Sequence, residues 1–165
     1  MVSTLFAWAL LGVLFIKLSQ YNFLLFHSLS ETVSVCVAFS AFFIVFNAHF
    51  VGKNGFMEVL SVGLFFVALI DLVHTFAYKG MGVFPGAGAN LPTQLWIAGR
   101  YLMATTFLAA PFFINKTVNR WKTFCYFGFL FSILIISIFF DFFPEAYSEK
   151  KGLTRFKIYS EYLVC

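Results

Sequence analysis

An all-α, polytopic transmembrane bundle of about six spans is the fold this sequence predicts, and three observations predict it. Of the 165 residues, 61% are hydrophobic and only 11% are charged, where a soluble domain carries about 25% charged residues. Apolar runs close to 20 residues long recur along the chain, and a hydrocarbon core of ~30 Å needs about 20 residues at ~1.5 Å each. Those runs are continuous rather than alternating, which excludes the dyad pattern of a lipid-facing β-barrel.

Span 1 is placed at Val2–Leu18. It lacks the basic start and small-residue cleavage site of a signal peptide, so it reads as a first membrane helix. Span 2 follows at Leu29–Ala48, span 3 at Phe56–Tyr78, span 4 at Thr93–Ile114 and span 5 at Trp121–Phe140. Span 6 begins near Phe156 and is still running at Cys165. The connections then alternate between two faces. Asn47–Gly55 and Asn115–Arg120 fall on the N-terminal side, face A. Ser19–Ser28, Lys79–Pro92 and Asp141–Arg155 fall on face B. Basic residues are shared between the faces: Lys53, Lys116, Arg120 and Lys122 on A, and Lys17, Lys79, Lys150, Lys151, Arg155 and Lys157 on B. The positive-inside rule therefore leaves the orientation open, with a slight lean toward a cytoplasmic face B.

The formal net charge of +4 is scattered, which argues against nucleic acid as a partner and fits loops meeting lipid headgroups. Cys36, Cys125 and Cys165 are widely spaced and form no CxxC or Cys/His zinc pattern, so they are expected as small packing residues. No internal repeat is visible.

Polar residues inside the spans carry the functional signal, because an ionisable group in lipid costs free energy and marks a site or a specific pair. Asp71 lies seven residues before Tyr78, and Arg100 lies seven residues after Thr93. Both are therefore ~10 Å below face B, and spans joined by a short loop pack as antiparallel neighbours. An Asp71–Arg100 ion pair is expected. His74 and Tyr78 share a helix face with Asp71. His27 and Glu31, four apart, open span 2 on the same side, and Glu161 opens span 6 there. These residues predict a polar pocket opening toward face B; the bland alternative is polar contacts that fix helix packing. His27, Glu31, Asp71 and His74 also have metal-ligand chemistry, at i,i+4 and i,i+3 spacings that permit paired ligation from two helices.

Between spans 3 and 4, Gly80, Gly82, Gly86 and Gly88 permit positive φ, Pro85 and Pro92 restrict the chain, and Thr93 is placed to cap span 4. This composition suits a loop that folds back as a lid over the pocket; the bland alternative is a plain tight connection. It has no GxxxxGK[ST] pattern, which removes a phosphate-loop reading.

Three segments, FHSLSETVSV (Phe26–Val35), LIDLVHTFAYKGMGVFPGAGANLPTQLWIAGRY (Leu69–Tyr101) and GLTRFKIYSEYLV (Gly152–Val164), resemble the membrane-associated sensor domains of the third MASE family. The resemblance covers the chain from about Asn22 onward. It implies an N-terminal input module of bacterial sensor histidine kinases and diguanylate cyclases, lying in the cytoplasmic membrane with face B extracytoplasmic. Residues 1–165 would then be a sensor domain truncated at its C-terminal end, with a cytoplasmic kinase or cyclase domain expected beyond it and a homodimer possible. On the motif the candidate ligand-binding residues are His27, Glu31, Asp71, His74, Tyr78, Asn90, Gln94, Trp96, Arg100, Tyr101 and Glu161.

The resemblance names no ligand or cofactor. Three function classes remain at this point. The first is a sensor that binds a small ligand, proton or ion near face B and shifts helix packing. The second is a haem- or metal-binding redox sensor. The third is a transporter fragment or membrane enzyme, disfavoured because no repeat, no polar path across the bilayer and no nucleophile–base pair is visible.

Overall fold

The computed structural model describes residues 2–48 and 54–164. Among these, six α-helices follow in order: α1 (Val2–Tyr21), α2 (Phe23–Asn47), α3 (Gly55–Ala77), α4 (Asn90–Ala109), α5 (Arg120–Phe139) and α6 (Arg155–Val164). A 3-10 turn, Ala110–Phe113, extends α4 at Pro111, and a small antiparallel hairpin pairs β1 (Tyr147–Ser148) with β2 (Gly152–Leu153). The all-α bundle is as the composition requires. Lys53, on the predicted face-A loop, lies outside the described residues.

Asparagine starts three of the helices. The side chains of Asn22, Asn54 and Asn119 accept from the backbone N–H of Leu25, Phe56 and Lys122, satisfying donors that the first helical turn leaves unpaired. Asn22 also corrects the predicted Ser19–Ser28 loop, because it is the one non-helical residue between α1 and α2. Phe15 and Phe26 nevertheless lie 6.1 Å apart, where an unbroken helix would separate them by about 16 Å. The chain therefore doubles back at Asn22. Thr93 does not cap α4, which begins at Asn90 and has no side-chain cap; its hydroxyl donates to the Ala89 carbonyl inside the first turn instead.

Four helices are long and apolar enough to cross a membrane: α1, α2, α3 and α5. Six helices stand among the described residues, one for each expected span, and these four also meet the length and hydropathy of a membrane crossing. α4, at 20 residues, is long enough, but Asn90, Gln94 and Arg100 make it too polar to be picked out by composition. α6 has 10 residues, about 15 Å of helix. The apolar helices differ in what surrounds them. α3 is the hub, with 56% of its apolar window buried against 0% for α1, and it packs on α2, α4 and α5. Val62, Phe66, Ile70, Leu95, Ala98, Leu102 and Phe127 form the core between them. Lipid tails are as apolar as these side chains, so close van der Waals fit rather than water exclusion holds such a bundle together. Gly63 shows that fit: a Cβ there would lie 2.3 Å from Thr106 Cγ2.

Outward faces are apolar too. Leu5, Phe6, Trp8, Leu10, Leu14 and Ile16 on α1 are exposed, as a lipid-facing helix demands. Cys36 and Cys125 are exposed free thiols, not the core residues expected, because they fall on the outer faces of α2 and α5. Cys165 lies outside the described residues.

Two clasps close the ends. On face A, Arg120 pairs with the buried Glu58 at 3.4 Å, donates to the Phe46 carbonyl at 2.7 Å and covers the Phe46 ring. One guanidinium thus joins the end of α2, the start of α3 and the start of α5. On face B, the connector before α6 folds onto α4, and the 78–89 loop lies over the neighbouring helix ends, with Met81 against Ser28 and Phe84 against Phe139.

Candidate functional site

The face-B end of the bundle holds two adjoining cavities. The outer one, about 420 Å³, is lined by His27, His74, Tyr78, Lys79, Trp96, Tyr147 and Lys157 among others. The inner one, about 360 Å³, is lined by Glu31, Ser34, Asp71, Arg100, Met103 and again Trp96. Trp96 lines both, and two cations approach its ring: Lys157 Nζ lies 4.8 Å and Arg100 Cζ 5.5 Å from it, within cation–π range.

Asp71 and Arg100 meet in the inner cavity as their depths predicted. Arg100 Nη2 is 3.4 Å from both carboxylate oxygens of Asp71, and their side chains keep 23% and 10% exposure. Gly99 makes the approach possible, since a Cβ there would stand 3.1 Å from Asp71 Oδ1. Arg100 Nε is buried without a partner.

Where the two cavities meet, α2 and α3 bring His27, Glu31 and His74 together. Their ligating atoms all lie within 4.8 Å of one another. Asp71 is not in this group; its charge is spent on Arg100. The four expected metal-ligand candidates therefore separate into a cluster of three and an ion-pair member. His74 Nδ1 donates to the Pro92 carbonyl at 2.8 Å. A carbonyl only accepts, so Nδ1 carries the hydrogen and Nε2 is the nitrogen left to other partners. The His27 ring packs on Tyr78 at 4.1 Å and stands edge-on to His74 at 5.5 Å. Its Nε2 is buried without a partner, and its Nδ1 is 4.0 Å from Glu31 Oε1.

Four of the candidate site residues also make contacts that hold the scaffold. Asn90 Oδ1 accepts from the backbone N–H of both Ala146 and Tyr147 at 2.9 Å. Gln94 Nε2 donates to the carbonyls of Phe143 and Pro144. Together they dock the connector on α4. The Tyr101 hydroxyl bonds Ser160 Oγ at 2.7 Å and so ties α4 to α6. Glu161 pairs with Lys157 one turn earlier and lines neither cavity. In each case at least one polar atom is engaged within the fold.

Lys157 and Lys79 line the outer cavity and were not singled out from sequence. The signal for Lys157 was its i,i+4 spacing to Glu161, a pairing distance on a helix. Tyr147 and Leu153 enter from the hairpin, a non-local contribution without a sequence mark. The 78–89 loop supplies Lys79 and Ala89 to the cavity wall but mostly covers the ends of α2 and α5. A third cavity, near face A, is lined by Val59, Ala109, Phe113, Phe127 and other residues of α3, α4 and α5. It is mostly apolar and lacks the paired charges of the face-B site.

Comparison with curated proteins found no significant match, and neither did comparison with solved structures. A family model for the membrane-associated sensor domain MASE3 matches residues 18–165, which takes in both cavities and the helices that frame them. The chain belongs to the MASE3 family of membrane-associated sensor domains.

Proposed function

We propose that this domain is the multi-pass sensory input unit of a bacterial signalling protein in the cytoplasmic membrane. It binds a small ligand or ion at the extracytoplasmic end and passes the event on as a change in helix packing. One observation carries this reading: charged and imidazole side chains from α2, α3, α4 and α6 converge on two cavities that share Trp96 in their walls. A ligand that favours one arrangement of these helices shifts their equilibrium in proportion to its differential affinity. α6 is the natural exit for that shift, because Lys157 lines the outer cavity and Ser160 is bonded to Tyr101 of α4. The chain's part is non-catalytic; a kinase or cyclase domain on the cytoplasmic side supplies the output.

The test uses the sensor protein of which this domain is the input. Arg100→Leu strands Asp71 in the inner cavity, and Trp96→Ala removes the ring that lines both cavities and packs against Arg100 while keeping both charges of the pair. Arg100→Leu is expected to lower stability, by up to the ~3–5 kcal/mol typical of a broken buried pair and less in proportion to Arg100's exposure. Both variants are expected to change kinase or cyclase output at least several-fold. Two folded variants with wild-type output would overturn the proposal.

A further inference from the structure

We propose that His27, Glu31 and His74 form a binding site for a divalent first-row transition-metal ion of the zinc type. This rests on the sensory reading and identifies a ligand class for that site. Three observations carry it. First, two imidazoles and one carboxylate, from two different helices, have their donor atoms within 4.8 Å of one another. In a tetrahedral zinc site, bonds of about 2.0–2.2 Å place donors roughly 3.3–3.5 Å apart. Side-chain rotation closes that gap, and Glu31 is free to rotate because it has no short hydrogen bond or ion pair among the described residues apart from His27 at 4.0 Å.

Second, His74 is already set as a ligand. Its Nδ1–H is held by the Pro92 carbonyl at 2.8 Å, the outer bond that orients metal-bound histidines and leaves Nε2 to the metal. Third, His27 Nε2 is buried with no partner. Leaving a buried polar atom unmet is unfavourable, and a metal bond removes that cost. The pair His27/Glu31 at i,i+4 supplies two donors from one helix face, and His74 supplies the third from α3.

Nearby cations do not fill the position. Arg100 is engaged with Asp71 and Lys157 with Glu161, and Lys79 is exposed. Imidazole nitrogens with a single carboxylate select zinc, copper, nickel or ferrous iron over magnesium and calcium. Three protein donors leave a fourth position to water or an exogenous ligand, and the outer cavity beside His27 and His74 gives it room.

The test is metal binding by the purified chain in detergent, stripped with chelator and titrated with Co2+ as a visible reporter and with Zn2+ as competitor. One equivalent of Co2+ with intense d–d absorption, displaced by Zn2+, is expected. His27→Ala and His74→Ala should each weaken binding at least 100-fold, and Glu31→Gln at least 10-fold. His49→Ala and Glu149→Gln should leave binding within twofold. Far-UV circular dichroism and a monodisperse elution profile establish that each variant is folded. No cobalt band in the wild type would overturn the site, as would loss on His49→Ala with retention on His27→Ala. The output assay of Arg100→Leu and Trp96→Ala is independent of this result, so a metal-free protein with altered output in those variants would remove the metal and leave the sensor pocket.

Discussion

At the residue scale, the face-B end shows how much a side chain's role depends on its partners. Asp71 and Arg100 were legible because depth along a helix is countable at ~1.5 Å per residue, and two charges at one depth on adjacent spans meet. Asn90 and Gln94 share the same motif and the same apparent exposure to a pocket, yet their polar atoms go to the connector backbone. Hydrogen-bond capacity is visible in a sequence; its destination is not. Asn90→Ala leaves the N–H groups of Ala146 and Tyr147 unpaired, at about 1–3 kcal/mol for each group that water does not reach. Amide hydrogen exchange at Ala146 and Tyr147 is expected to accelerate at least 10-fold while amides in α3 stay protected. Unchanged exchange at those two amides would show that Asn90 does not dock the connector.

At the element scale, α3 organises the molecule, and its neighbours approach through small residues. Gly63 faces Thr106, where an added Cβ would lie 2.3 Å from Cγ2, 2.4 Å from Oγ1 and 2.9 Å from Cβ. Gly63→Ala therefore forces α3 and α4 apart, at a cost of about 1–3 kcal/mol. Thr106→Ala removes the two shortest of these contacts, so the double variant is expected to recover part of the lost thermal stability. Additive destabilisation in the double variant would place the cost elsewhere. The helices themselves were readable as apolar runs. The reversal between α1 and α2 was expected within Ser19–Ser28, but its confinement to Asn22 was not legible, because the polar residues on either side also suit helix. The β1–β2 hairpin was missed for a related reason: two-residue strands are too short to leave a periodicity.

At the scale of the whole molecule, the two ends are built differently. Face A carries a compact clasp around Arg120, and face B carries the polar site. Antiparallel packing of α3 on α4 places the 78–89 loop and the 114–119 turn at opposite ends, and a membrane crossing would put them on opposite sides. Cysteines at Val83 and Thr117, with Cys36, Cys125 and Cys165 replaced by alanine, are expected to react with an impermeant maleimide from opposite sides, Val83 from outside the cell. Labelling of both from one side would overturn the topology. The sequence by itself determined the class of this protein: an all-α membrane bundle, its spans to within a few residues for α3 and α5, the matched depth of Asp71 and Arg100, and the family resemblance. Those features follow from hydrophobicity and helical rise, which are local and additive along a chain. Only the tertiary structure decided that His27, Glu31 and His74 gather while Asp71 pairs with Arg100, that Trp96 lines both cavities, and that Asn90, Gln94, Tyr101 and Glu161 make contacts within the scaffold. Those outcomes depend on which helix faces are pressed together and on how a fixed supply of donors and acceptors is shared among neighbours, and that competition is settled only when all the helices are in place.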